Sequence, residues 1–163
     1  MTIRLIRPWL GGGMLLFAIV TPVAVPAAPT MVLCSPTKLK ASVSAAESST
    51  TSSAYENIPE SQVSFVQGGN APSCVIVRFS VEALAAGADN ALEIRAFMGN
   101  ITAGRPGSVL VGDRTGEYRG YSYEFVFPSV APGFHTIRMQ GRSTVTGQQV
   151  SVRNHNTVVQ FAP

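Results

Sequence analysis

The chain has 163 residues, with 12 Lys and Arg against 9 Asp and Glu, 45% hydrophobic residues and 13% charged ones. So small a charged fraction, with many β-branched and aromatic residues, excludes a disordered chain. The basic excess of three charges shrinks to one without Arg4 and Arg7, so the basic composition is poor evidence for the clustered positive face that nucleic acids and anionic membranes select.

Arg4 and Arg7 precede an apolar centre of Leu15, Leu16, Phe17, Ile19 and Val20. Val25-Pro26-Ala27 and Pro26-Ala27-Ala28 then offer small side chains where a signal peptidase cuts. Residues 1–27 therefore read as a signal peptide cleaved after Ala27, or one residue on after Ala28. A retained anchor competes with this reading, because Leu10 to Ala28 nearly suffices to span a bilayer; Gly11, Gly12, Gly13, Pro22 and Pro26 argue against it. Leu33 before Cys34 argues against a lipid-modified cysteine. No later segment is apolar for long enough to cross a membrane, so no stable membrane insertion is expected after cleavage. The expected location is secreted or periplasmic, in a bacterium.

Cleavage at Ala27 leaves 136 residues, one domain's worth. Cys34 and Cys74 are the only cysteines, and an exported chain with an even count implies one disulfide between them. Two unpaired thiols are the alternative. Residues 28–53 form a Ser/Thr-rich N-terminal segment whose stretch SVSAAESSTTSS reads as a linker or, by preference, an edge strand with a polar face. Residues 54–163 form the domain proper. Leu39–Val43, Tyr55–Ile58 and Val63–Val66 are short extended pieces.

From Ser73 the pattern has a period of two. Val75, Val77, Phe79 and Val81 alternate with Ile76, Arg78, Ser80 and Glu82, giving a half-buried strand. Ala83 to Ala88 offers at most one helical turn before Gly87-Ala88-Asp89-Asn90 reverses the chain. Leu92, Ile94, Ala96 and Met98 build the partner strand. Gly99 to Gly107 is a connection, Ser108 to Val111 a short strand, and Gly112 to Gly116 a turn. Tyr121, Tyr123, Phe125 and Phe127 make the most aromatic strand, which Pro128 ends. Ala131-Pro132-Gly133 turns into a strand with His135, Ile137 and Met139 on one face. Thr146-Gly147-Gln148 turns into Val150 and Val152, and Thr157, Val159 and Phe161 close the domain. Eight to ten short strands spaced by turns predict an all-β fold: a single β-sandwich, jelly-roll-like in preference to immunoglobulin-like, after the signal peptide. A closed barrel fits the same pattern.

The stretch from Ala131 to Phe161, with PGFHTIRMQGRS, Gly147 and an alternating last strand, resembles the closing hairpins of small exported bacterial β-sandwich proteins over about a third of the mature chain. Ser73–Glu82 is similar to their central strand. The resemblance implies the fold and little about activity, since one fold hosts unrelated functions.

No catalytic, cofactor or metal site is expected. His135, on the Ile137/Met139 face, reads as a half-buried imidazole bonded to backbone. His155, in the polar run Arg153-Asn154-His155-Asn156, reads as a surface loop or hairpin end. Two distant histidines do not make a zinc site, and the acids do not pair as a glycosidase requires. Asp113 and Glu117 flank a turn that reads as solvated more readily than as a calcium loop. Arg114, Arg119, Arg138 and Arg142 read as scattered solvated cations in preference to a cluster in space. Asn100-Ile101-Thr102 is a glycosylation sequon, meaningful only in a eukaryotic secretory route. Tyr121 and Tyr123 share the Phe125/Phe127 face and read as core, whereas Tyr118, beside Arg119, reads as exposed. Tyr118, Arg119 and His155 are therefore the expected surface contacts. The functional expectation is an exported, non-catalytic binding or adhesion protein whose partner is a protein or glycan at the cell surface. A hydrolase with a site assembled from distant residues, or an oligomerising subunit of a surface assembly, is the alternative.

Overall fold

A computed structural model describes residues 34–99, 101–102, 106–111 and 116–163; the expected signal peptide, Asp113 and Arg114 lie outside them. The elements are β1 (Lys38–Ser44), β2 (Ser48–Thr50), β3 (Glu56–Asn57), β4 (Val63–Gln67), β5 (Ser73–Ala85), β6 (Leu92–Met98), β7 (Ile101–Thr102), β8 (Val109–Val111), β9 (Arg119–Val130), β10 (Gly133–Ser143) and β11 (Val150–Phe161). They form two antiparallel sheets, which is a sandwich and not a closed barrel. Sheet 1 runs β1-β11-β5-β9 with β2 also on β11; sheet 2 runs β3-β10-β6-β7 with β4 on β10 and β8 on β6.

Alternation explains the layering. On β5 the side chains of Val75, Val77, Phe79, Val81, Ala83 and Ala85 are buried, and on β6 those of Leu92, Ile94, Ala96 and Met98. Phe125 and Phe127 of β9, Ile137 and Met139 of β10, and Phe65 of β4 complete a core between the sheets. Tyr121 and Tyr123 pack against it while partly exposed.

Several boundaries differ from the sequence expectation, each for a structural reason. Ala83 to Ala85 continue β5 instead of turning helically, because Ala83, Leu84 and Ala85 pair with Val152, Ser151 and Val150. Pro128 lies inside β9. The strand tolerates it because β9 is the last strand of sheet 1 and the β5–β9 ladder is irregular where Ser73 and Val75 face Val130 and Phe127, so no ladder donor is missed. Ile101 and Thr102, placed in a connection, pair with Met98 and Phe97 as β7.

Two covalent and polar ties fix the ends of the sandwich. A disulfide joins Cys34, ahead of β1, to Cys74 at the start of β5, with Cα atoms 5.5 Å apart. Asn90, buried in the β5–β6 turn, donates to the carbonyls of Ala86 and Gln149 and accepts from Ser143 Oγ and Val145 N. Its amide thereby binds that turn to the one between β10 and β11.

β11 carries an irregularity opposite β5 between Arg153 and Asn156. Asn154 there has φ 46°, a left-handed conformation that asparagine tolerates better than most residues. One extra residue in a strand switches the side chains beyond it to the other face. Val150 and Val152 point inward before the bulge, and His155, Thr157, Val159 and Phe161 after it.

Candidate functional site

The bulge separates the residues that the sequence groups together. His155, expected at the surface, is 2% exposed. Its ring lies 5.8 Å from that of Phe79, and Nδ1 has no partner. Burial lowers its pKa from the ordinary histidine value, against the Glu60 charge and the Pro59 carbonyl, which raise it. The loop reading fails because the phase shift in β11 turns this side chain into the core. His135 is half-buried, with Nε2 2.8 Å from the Ala131 carbonyl.

Tyr118 and Arg119 stay at the surface. Tyr118 donates to Glu47 Oε1 at 2.5 Å, and the Arg153 guanidinium stands 3.8 Å from its ring centre. Arg153 and Asn154 both donate to Glu82 Oε2, at 2.8 and 3.1 Å. Those two hydrogen bonds hold the Glu82 carboxyl below the usual carboxylate range. Burial, then the bond to Glu47, raises the Tyr118 pKa. Every group here is engaged by its neighbours, so the cluster braces the end of sheet 1.

The outer face of sheet 2 holds a second, larger constellation. Register places Phe134 beside Val66, Arg138 beside Phe97, Gln140 beside Arg95, and Arg142 beside Glu93, with Leu110 on the far side of Glu93. Tyr55, just ahead of β3, takes the guanidinium groups of Arg95 and Arg142 against its ring, at 3.8 and 4.7 Å. Such contacts contribute roughly 0.5–1 kcal/mol each at exposed sites. Arg95 also lies 5.4 Å from the Phe97 ring and donates through Nε to Gln140 Oε1 at 2.9 Å; Gln140 in turn donates to Asn57 Oδ1 at 3.0 Å.

Arg142 pairs with Glu93 at 2.6 Å, and Ser108 donates to the other carboxylate oxygen at 2.5 Å. Burial works to raise the Glu93 carboxyl, but hydrogen bonds from Ser108, Arg142 and Tyr55 outweigh it and hold it below the usual range. Burial, then the bond to Glu93, raises the Tyr55 pKa. Around this core of polar contacts Phe134, Leu110 and Val66 stand 71%, 64% and 59% exposed. The sequence shows Arg138, Gln140 and Arg142 on the wet side of β10 and Glu93 and Arg95 on that of β6. It carries no signal for the register that joins them or for Tyr55 lying across both.

A cleft of about 190 Å³ adjoins this face between β2 and β3, with Ile58, Leu92, Val150 and Val152 among its apolar lining and Ser48, Thr50, Glu56 and Asn57 among its polar lining. It is smaller than the ~300–1,000 Å³ that encloses a drug-sized ligand. Among the described residues no three His, Cys, Asp or Glu side chains gather as metal ligands, and no helix is long and apolar enough to cross a membrane.

No family model matches the chain, and no curated protein matches it. Among solved structures it is similar to dimeric latent PorU from Porphyromonas gingivalis, at 15% identity and a TM-score of 0.47, covering 82% of this chain and 13% of that one. It is also similar to the CBM36-1 domain of a multidomain xylanase from the hindgut metagenome of Trinervitermes trinervoides, at 14% identity and a TM-score of 0.39, covering 74% and 96%. The C-terminal CBM6 of LamC from Zobellia galactanivorans gives 14% identity and a TM-score of 0.35, covering 74% and 98%.

Proposed function

We propose that this chain is an exported, non-catalytic β-sandwich protein that binds a partner at or outside the cell surface through the outer face of sheet 2. The observation that carries this reading is the exposure of Phe134, Leu110 and Val66 around ordered arginines on one face, since aromatic residues and arginine are enriched in contact surfaces. A glycosidase would need a carboxyl group kept protonated near neutral pH; Glu82 and Glu93 are shifted the other way, within ion pairs. The jelly-roll topology is part of the proposal. It is supported by β8, β9, β10 and β11 passing alternately between the sheets instead of forming hairpins within one. Export rests on the signal-peptide pattern of residues 1–27, and the disulfide accords with an oxidising compartment.

The test is affinity electrophoresis of the mature protein through gels containing single soluble polysaccharides. Retardation by at least one polymer is expected, lost in Phe134→Ser with Val66→Ser and kept in Val43→Ser on β1. Depolymerisation of the retained polymer would establish the hydrolase instead.

A further inference from the structure

The two outer faces differ in how their cations are matched. On sheet 1, Arg78 pairs with Glu124 at 3.3 Å and Arg153 with Glu82 at 2.8 Å. On sheet 2, Arg142 has Glu93, but Arg95 and Arg138 have no carboxylate within ion-pair distance among the described residues. Arg138 lies opposite Phe97, and Arg95 opposite Gln140. The two arginines are thus diagonal neighbours on adjacent strands, with a spacing of about 7–8 Å.

Arg95 is ordered before any ligand arrives. Its Nε is committed to Gln140, Gln140 is anchored by Asn57, and the guanidinium is flanked by Tyr55 and Phe97. Among the described residues its terminal nitrogens have no hydrogen-bond acceptor, which leaves a planar pair of donors, the geometry that matches a carboxylate bidentately. Holding such a fork in place removes ordering cost from binding. Phe97 lies beside Arg138 in the register, and Phe134 and Val66 extend the face with apolar surface.

We infer that this face binds a carboxylated polysaccharide, with Arg95 and Arg138 each receiving a uronate carboxylate and the rings of Phe97 and Phe134 lying under the sugar backbone. The inference rests on the binding reading above. Nucleic acid is a poorer match, because the single excess charge of the mature chain is far from a continuous basic stripe. An anionic membrane draws on clusters of about four to eight basic residues, and two unmatched guanidinium groups fall short of that.

The probes are polygalacturonate, dextran sulfate and uncharged dextran, in affinity electrophoresis at low salt and at about 150 mM salt. Polygalacturonate is expected to retard the protein most, and less at the higher salt. Arg138→Ala and Arg95→Ala should each weaken retardation about tenfold, the loss of one charge-assisted pair. Arg138→Lys should not restore it, and Arg78→Ala, which removes the same charge from the other face, should leave it unchanged. Arg138 is exposed and outside the core, so its variant stays informative if Arg95→Ala folds poorly. Equal retardation by dextran, insensitive to both arginines, would overturn this inference and leave the binding reading standing. Equal retardation by dextran sulfate, or an equal loss in Arg78→Ala, would reduce it to unspecific charge attraction and overturn it. Retardation by none of the polymers would overturn it and deprive the binding reading of its glycan partner.

Discussion

A neutral imidazole in the core makes stability depend on pH in a direction that burial dictates. His155 is enclosed by Phe79 and the Pro59–Glu60 segment, and its folded pKa is lowered by desolvation. The unfolded chain therefore takes up the proton first, near the ordinary histidine value of about 6.5. Stability is whole above that pH and falls as the pH drops through it, levelling off only below the folded pKa. The carboxylates of Glu82 and Glu93 are lowered instead, so their contribution persists above about 4.5 and declines only below it. The two windows are separable. As the pH is lowered from about 7.5 to 5, the melting temperature should fall for the parent and stay nearly level for His155→Leu. At the upper end the variant should lie within about 1 kcal/mol of the parent, because Nδ1 already lacks a partner there. An equal acid slope in both proteins would assign the effect to other groups.

The extra residue in β11 places that histidine, and its backbone can be tested apart from the side chain. Asn154 adopts φ 46° and donates to Glu82. Asn154→Val forces a β-branched residue into the left-handed region and should cost about 1–3 kcal/mol, while Asn154→Gly should cost under about 1 kcal/mol; chemical denaturation of the two variants checks the contrast. If valine were tolerated as well as glycine, the backbone there would not be left-handed. In β5 from Val75 onward, and throughout β6 and β10, the inward residues keep one parity, which is why those strands are legible from the sequence. In β11 the parity changes between Val152 and Thr157. That change is itself visible in the sequence, and counting back from Phe161 through Val159 and Thr157 reaches His155 on the inner side. The polar run Arg153-Asn154-His155-Asn156 hides it, because polarity also describes a loop. Pro128 and Ala83–Ala85 mislead for a related reason: local propensity yields to position, an edge strand in one case and a long ladder in the other. Tyr55 and the Arg95–Gln140 pairing depend on register between segments some 40 to 85 residues apart, and no local pattern encodes that.

At the level of the whole molecule, the disulfide couples the place where the chain folds to how firmly it folds. Cys34 and Cys74 are 40 residues apart in sequence, and closing a loop of that length stabilises by about 4 kcal/mol through the entropy of the unfolded chain. The bond also fixes the chain just ahead of β1, the edge strand of sheet 1, whose Leu39 and Val43 are exposed and which gains little from burial of its own. Without it, loss of β1 should precede loss of the core, since an edge strand with a wet outer face is held mainly by its ladder to β11. Two preparations separate these effects: the chain exported with its own first 27 residues, and residues 28–163 produced in a reducing cytosol. The exported protein is expected to begin at Ala28 or Pro29, to lack two hydrogens by mass, and to be more stable by roughly 2–4 kcal/mol. Amide exchange in the reduced protein should rise first in β1, with β5 and β10 still protected. An exported protein carrying two thiols, or a reduced one equally stable and equally protected in β1, would separate the compartment from the fold.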